Sequence, residues 1–240
     1  GATAYFIPGN HDWLEGKAKG WKQLLNQYRY VQSLQLPNVH FVPENACPGP
    51  VEVSLNEKTT LVIMDTQWWL QQNDRPGVNS DCECKNEDEI IGRLKDIVYR
   101  NRGKLLLFAA HHPFKTYGPH GGYFNLRQHV FPLTEINENL YIPLPGLGSL
   151  YPMLRGTFGN IQDLKHPEYK DMIAKLDEVL AQHPHCLRLA GHEHSLQYIN
   201  LNNQDYIVSG AASKISPVRT GKGTMFARKK QGFGLLELFD

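Results

Sequence analysis

Three short polar clusters, Gly9-Asn10-His11-Asp12, Ala110-His111-His112-Pro113 and Gly191-His192-Glu193-His194, each follow an apolar run within a residue or two. Those runs, at residues 3–7, 105–110 and 186–190, have the length and the aliphatic and aromatic content of buried strands. Polar residues placed there fall at the carboxyl ends of strands, where open α/β sheets expose their ligand crevice. The pattern therefore predicts an α/β fold with its chemistry gathered along one edge of a sheet.

The intervening sequence fits that frame. Residues 21–34 repeat apolar side chains at helical spacing (Trp21, Leu24, Leu25, Tyr28, Val31). A second helix is predicted over 87–101, with Asn86 as N-cap, Glu89 three positions on, and an inward stripe of Ile90, Ile91, Leu94, Ile97 and Val98. A third runs over 167–180, where Pro167 suits the first helical position. Strands are predicted at 39–42, 51–55, 61–65 and 104–110, with an aromatic turn at Gln67-Trp68-Trp69. Asp65, ending one strand, reads as a turn cap or as a residue standing behind the site. The segments 196–201, 205–208 and 232–238 pair most easily as hairpins.

Residues 116–163 are rich in Gly and Pro and lack periodicity, which marks them as a site-covering insertion. Within it, 140–154 carries no charge, and Pro143, Pro145 and Pro152 preclude a spanning helix. This stretch is either a loop packed on its own domain or an apolar wall for a lipid-like or aromatic substrate.

Composition narrows the function classes. A chain of 240 residues, 41% hydrophobic, can bury the core of one full domain, 1–240. Its net charge of +1, from 25 basic and 24 acidic residues, gives no footprint for nucleic acid or an anionic membrane. No apolar run reaches the roughly 18 residues of a transmembrane segment. Cys47, Cys82, Cys84 and Cys186 lack Cys-x-x-Cys spacing, so no structural zinc knuckle is expected. Cys186 reads as a core thiol, and a disulfide from Cys47 to Cys82 or Cys84 is feasible in an oxidising compartment.

Imidazole and carboxamide are neutral, so several can crowd round a divalent cation that keeps enough charge to acidify a bound water. Asn10, His111 and His192 suit that task. An extended Gly-His-Glu-His backbone would send both imidazoles to one side and Glu193 to the other, letting His192 and His194 serve neighbouring metals.

The order and spacing of the three clusters, from Gly9 to His194, resemble the calcineurin-like metallophosphoesterases, among them the purple acid phosphatases. The resemblance implies a four-layer α/β/β/α sandwich of two mixed sheets flanked by helices. It also implies a phosphoester hydrolase with two divalent metal ions (Mn, Zn or Fe). Asn10, His111 and His192 would bind one metal and His194 the other. His11 would assist leaving-group departure, with Asp12 orienting it, and His120, on a loop behind the second cluster, would contact the substrate phosphate. His112, next to a ligand, would point away from the metals. An apolar portion on the phosphoester is expected from the charge-free stretch.

The same resemblance calls for Asp-x-His and Gly-Asp motifs, neither of which occurs in these 240 residues. The expectation is that an N-terminal strand-helix portion completes the site, and that the chain by itself binds metal poorly and turns over little. The alternative is a catalytically silent domain that keeps the fold for ligand or partner binding. The loop cysteines favour a periplasmic or other extracytoplasmic bacterial location.

Overall fold

Aliphatic strands align with an amphipathic helix between them, and the sheet that results puts every polar cluster at a strand end. The computed structural model describes residues 1–135, 139–144 and 146–239; Pro145 of the charge-free stretch lies outside them. Two sheets form. Strands β1 (Ala4–Phe6) and β2 (Val39–Phe41) pair in parallel, joined by helix α1 (Gly20–Ser33). The larger, seven-stranded mixed sheet has the order β3-β4-β5-β6-β8-β7-β9. Its strands are β3 (Val51–Asn56), β4 (Thr59–Met64), β5 (Leu105–Ala110), β6 (Cys186–Ala190), β7 (Leu196–Leu201), β8 (Gln204–Ser209) and β9 (Thr224–Arg228). Strands β4, β5, β6 and β8 are mutually parallel, and β3, β7 and β9 pair antiparallel at the flanks.

One face of this sheet carries Val62, Met64, Leu106, Phe108, Ala110, Cys186 and Tyr206. Helices α3 (Glu87–Arg100) and α6 (Pro167–Leu180) share the same core through Ile90, Leu94, Ile97, Tyr169, Met172 and Leu176. Arg188 on that face is buried with its Nε 2.6 Å from Asp177 of α6, which pairs the one cation the strand turns inward, while its Nη2 finds no partner among the described residues. Both helices begin where the sequence signals: the Asn86 side chain accepts from the Glu89 N–H at 2.9 Å, and Pro167 opens α6. The opposite face buries Ile63, Leu107 and Ala109 but leaves Leu61, Leu187, Leu189 and Ile207 half-exposed.

Three local readings are corrected. Residues 232–238 form no strand; Gly232 and Gly234 make isolated bonds to the Ala211 carbonyl and the Ser209 hydroxyl instead of a ladder. The edge strand beyond β7 is β9, whose Thr224, Phe226, Ala227 and Arg228 pair with β7. The Gln67-Trp68-Trp69 turn is a short buried helix, α2 (Thr66–Leu70). Within 116–163 lie two further helices, α4 (Leu126–Val130) and α5 (Leu150–Phe158), the first closed by a reciprocal Asn125/Gln128 capping box. Cys47 bonds Cys82 and ties the β2–β3 connection to the loop before α3, while Cys84 and Cys186 stay reduced and buried.

Asp65 fixes the junction between β4 and α2. It is fully buried; its Oδ1 accepts from the Gln67 and Trp68 N–H groups at 2.9 and 3.2 Å, and its Oδ2 accepts from the Trp13 indole at 2.8 Å. Three donors need two acceptor oxygens, which a carboxylate supplies and an amide does not. Burial nevertheless outweighs those bonds and pushes the carboxyl up to about 7. A carboxyl raised in the fold contributes stability at pH below its unfolded value and loses it as pH climbs toward 7. Asp65→Asn is therefore expected to destabilise the fold most at pH 4, and the gap to wild type should narrow by up to roughly 4 kcal/mol by pH 8. Urea unfolding midpoints at the two pH values check this; a gap independent of pH refutes it.

Candidate functional site

Parallel pairing of β4, β5 and β6 sets Met64, Ala110 and Ala190 in one row, so the residues that follow emerge side by side. The ladder continues one step further, the Gly191 N–H donating to the His111 carbonyl at 3.0 Å. His111 and His192 thus leave adjacent strands next to each other. Asn10 arrives from the turn after β1, which closes on itself as Asp12 Oδ2 accepts from the Gly9 N–H at 2.7 Å. Gly9 is required there, because a Cβ would lie 2.6 Å from the His111 ring.

His111 Nε2 stands 2.9 Å from Asn10 Oδ1 and 3.1 Å from His192 Nδ1. Donor atoms sharing one cation at about 2.0 to 2.2 Å stand roughly 3 to 3.4 Å apart, so this spacing fits a single metal. His192 is held from behind: its Nε2 donates to the Gln162 carbonyl at 2.8 Å, which leaves Nδ1 carrying the lone pair that faces the other two. A left-handed backbone at His192, φ 58°, aims the ring inward instead of continuing the extended alternation the motif suggested.

Burial is the first cause, and the neighbouring imidazoles the second, that hold His111 and His192 well below the ordinary histidine range. Both rings are thus neutral and able to ligate at pH 7. His11 and His194 add to the field on His111, so they lie within electrostatic reach of it. No hydrogen bond joins either ring to the cluster among the described residues. His11 is 74% exposed, with Nδ1 3.6 Å from Glu15; His194 is half-buried. Asp12 bonds the Gly9 backbone rather than His11.

His112 belongs to the same imidazole group by distance, and His111, His112 and His192 could together hold an ion on spacing alone. Its hydrogen bonds argue otherwise. Nδ1 pairs with the Thr66 hydroxyl at 2.8 Å and Nε2 with the Gln162 side-chain oxygen at 2.9 Å, so neither nitrogen is left for a metal. Burial drives this ring down to about 4. Among the described residues no carboxylate joins the cluster.

His120 sits against the site, its ring centroid 4.0 Å from that of His192. The sequence suggested a flexible loop there; the structure anchors it firmly. Its Nδ1 donates to Asp163 Oδ1 at 2.8 Å, and its backbone N–H donates to Glu193 Oε2 at 3.0 Å. Gln162, Asp163 and Arg155, which brace these rings, carry no sequence signal: a Gln-Asp pair before a helix reads as an ordinary turn.

No protein family matches this sequence, and no curated protein does either. Two solved structures share a distant likeness. GAP50, described as the anchor in the inner membrane complex of Plasmodium, is 15% identical over 89% of this chain and 53% of its own, with a TM-score of 0.42. PhoD is 10% identical over 80% of this chain and 35% of its own, with a TM-score of 0.38. The chain spans about half the length of the first and about a third of the second.

Gln162 offers a direct test of the bracing. Its side chain bridges His112 and the Gln67 side-chain oxygen Oε1, to which its Nε2 donates at 2.9 Å, so Gln162→Leu strands two buried polar groups. Chemical denaturation should register a loss of about 1–3 kcal/mol. A variant as stable as wild type would mean that these bonds contribute nothing.

Proposed function

We propose that this chain carries the histidine-rich half of a dinuclear, metal-dependent phosphoester hydrolase. The observation that carries the reading is the placement of Asn10 Oδ1 and His192 Nδ1 at 2.9 and 3.1 Å from His111 Nε2, with His192 oriented from behind by Gln162. The ordered Gly-Asn-His-Asp, His-x-Pro and Gly-His-x-His motifs add to it. In this reading those three residues hold one divalent ion, Mn, Zn or Fe, and His194 serves a second. When bound, such a pair supplies Lewis-acid polarisation of the phosphoryl group and an acidified water.

The chain's own residues do the rest. His11, exposed beside the cluster, meets the departing oxygen, and the turn closed by Asp12 and Gly9 sets its position. His120 contacts a phosphoryl oxygen. Neutral ligands alone leave two dications repelling each other, so bridging carboxylates from outside these 240 residues are part of the reading. The half-exposed Leu61, Leu187, Leu189 and Ile207 support a second sheet packed on that face, as in a four-layer sandwich. Helix α5 exposes Leu150, Met153 and Leu154 while its Arg155 reaches His120, which supports a phosphoester with an apolar portion. The Cys47–Cys82 bridge supports an oxidising, extracytoplasmic setting. Among the described residues, no helix is long and apolar enough to cross a membrane.

The carboxylate-free cluster also favours a second reading, a silent domain that keeps the fold for binding. Calorimetric titration with Zn or Mn separates the two when paired with aryl phosphate hydrolysis. The expected outcome is weak binding of metal that His192→Ala and Asn10→Ala abolish, with turnover appearing only in a longer form of the protein that also supplies the carboxylates. Metal bound without turnover in that longer form would favour the silent domain, and no metal bound in either form would sink the hydrolase reading.

A further inference from the structure

We propose that Asp163, braced by Arg155, is a positioning residue that locks the His120 imidazole so that its Nε2 edge is presented to a phosphoryl oxygen beside His192. The inference deepens the hydrolase reading and rests on it.

The bonding around His120 is denser than a surface loop requires. Its Nδ1 faces two acceptors, Asp163 Oδ1 at 2.8 Å and the Gln162 carbonyl at 3.1 Å, and one more distant donor, Arg155 Nη2 at 3.4 Å; the two nearer acceptors place the ring hydrogen on Nδ1. Among the described residues Nε2 makes no hydrogen bond, and it is the edge left for a ligand. The backbone is pinned on both sides: its N–H donates to Glu193 at 3.0 Å, and its carbonyl accepts from the Leu164 N–H at 2.9 Å. Glu193 and Asp163 are each only 1% exposed. Burying two carboxylates carries a large desolvation penalty unless each is fully bonded.

Asp163 meets that condition. Oδ2 accepts from Arg155 Nε at 2.8 Å and from the Asn160 N–H at 3.0 Å, and Oδ1 accepts from Arg155 Nη2 at 2.9 Å as well as from His120. The Arg155 fork is bidentate, a geometry lysine cannot reproduce. Although burial alone would raise this carboxyl, the Arg155 and His120 contacts hold it at about 2. It is therefore a fixed anion, and a carboxylate bonded to one nitrogen of an imidazole sets both the tautomer and the plane of the ring. His120 lies near the start of the 116–163 segment and Arg155, from α5, and Asp163 near its end, so these contacts clamp the two ends of the segment together.

The test uses the intact chain with Zn and inorganic phosphate as probes. Imidazole nitrogen NMR of the metal-free chain should show His120 in a single Nδ1–H tautomer, which Asp163→Asn converts to a mixture. Phosphate binding to the Zn-loaded chain should weaken on the order of tenfold in Asp163→Asn. Arg155→Lys should give an intermediate loss. In a His120→Ala background, Asp163→Asn should produce no further loss of phosphate binding, and Zn affinity should be the same in all variants. An unchanged tautomer, or additive losses in the double variant, would overturn the proposal. Failure of the parent reading looks different: no Zn bound by the chain, with the Nδ1–H tautomer of His120 and its loss in Asp163→Asn intact.

Discussion

The site depends on keeping Asn10 Oδ1 and His192 Nδ1 each about 3 Å from His111 Nε2, a placement that lone pairs and ring hydrogens resist unless each ring is oriented from outside. His192 Nδ1 faces His111 because Nε2 is committed to the Gln162 carbonyl. His112 stays out of the donor set because Thr66 and the Gln162 side chain occupy both of its nitrogens. One residue, Gln162, therefore decides which two of three neighbouring imidazoles offer lone pairs. The sheet supplies the coarse approach, by ending β5 and β6 in register, and the amide supplies the orientation.

Close approach has a price in side-chain volume, and two glycines meet it. Gly9 lies against the His111 ring, where a Cβ would come within 2.6 Å. Gly118 lies against Glu193, where a Cβ would sit 2.2 Å from the carboxylate carbon. Glu193 in turn accepts from the Ser216 hydroxyl at 2.8 Å as well as from the His120 N–H, joining the loop after β5 to the segment after β8. The Gly-His-Glu-His motif is thus two devices in four residues: His192 points to the donors, and the intervening carboxylate staples the surrounding loops.

The parts of this arrangement that sequence discloses are those governed by local rules. Helices α3 and α6 are legible from capping and stripe because Asn86, Glu89 and Pro167 act within one turn. Strands β5 and β6 are legible because both faces are apolar, and strand-end placement of Asn10, His111 and His192 follows. What was not legible is long-range. The left-handed His192 cannot be read from a motif that favours extended backbone, and the contacts of His120 with Asp163 span 43 residues. The strand expected at 232–238 fails for a related reason. Its alternation of apolar residues is strand-like, yet among the described residues no neighbouring strand offers it a ladder, and β9 takes the free edge of β7.

The apolar exposure of the fold is not evenly spread, and its distribution bears on how the site is completed. Phe6 on β1, the half-exposed Leu187, Leu189 and Ile207, and the exposed Phe233, Leu235 and Phe239 lie on strands or strand-like segments; Leu150, Met153 and Leu154 of α5 are exposed as well, while the core around Leu94, Tyr169 and Leu176 is buried. Large apolar side chains left in water by strand-like segments are surfaces prepared for contact. The helix-covered face gives the sheet its stability. The donors, however, project from the carboxyl edge that both faces share, so whatever covers the second face also borders Asn10, His111 and His192. Covering it would lower the local dielectric around the donors and raise the demand for compensating negative charge beside any cation they hold.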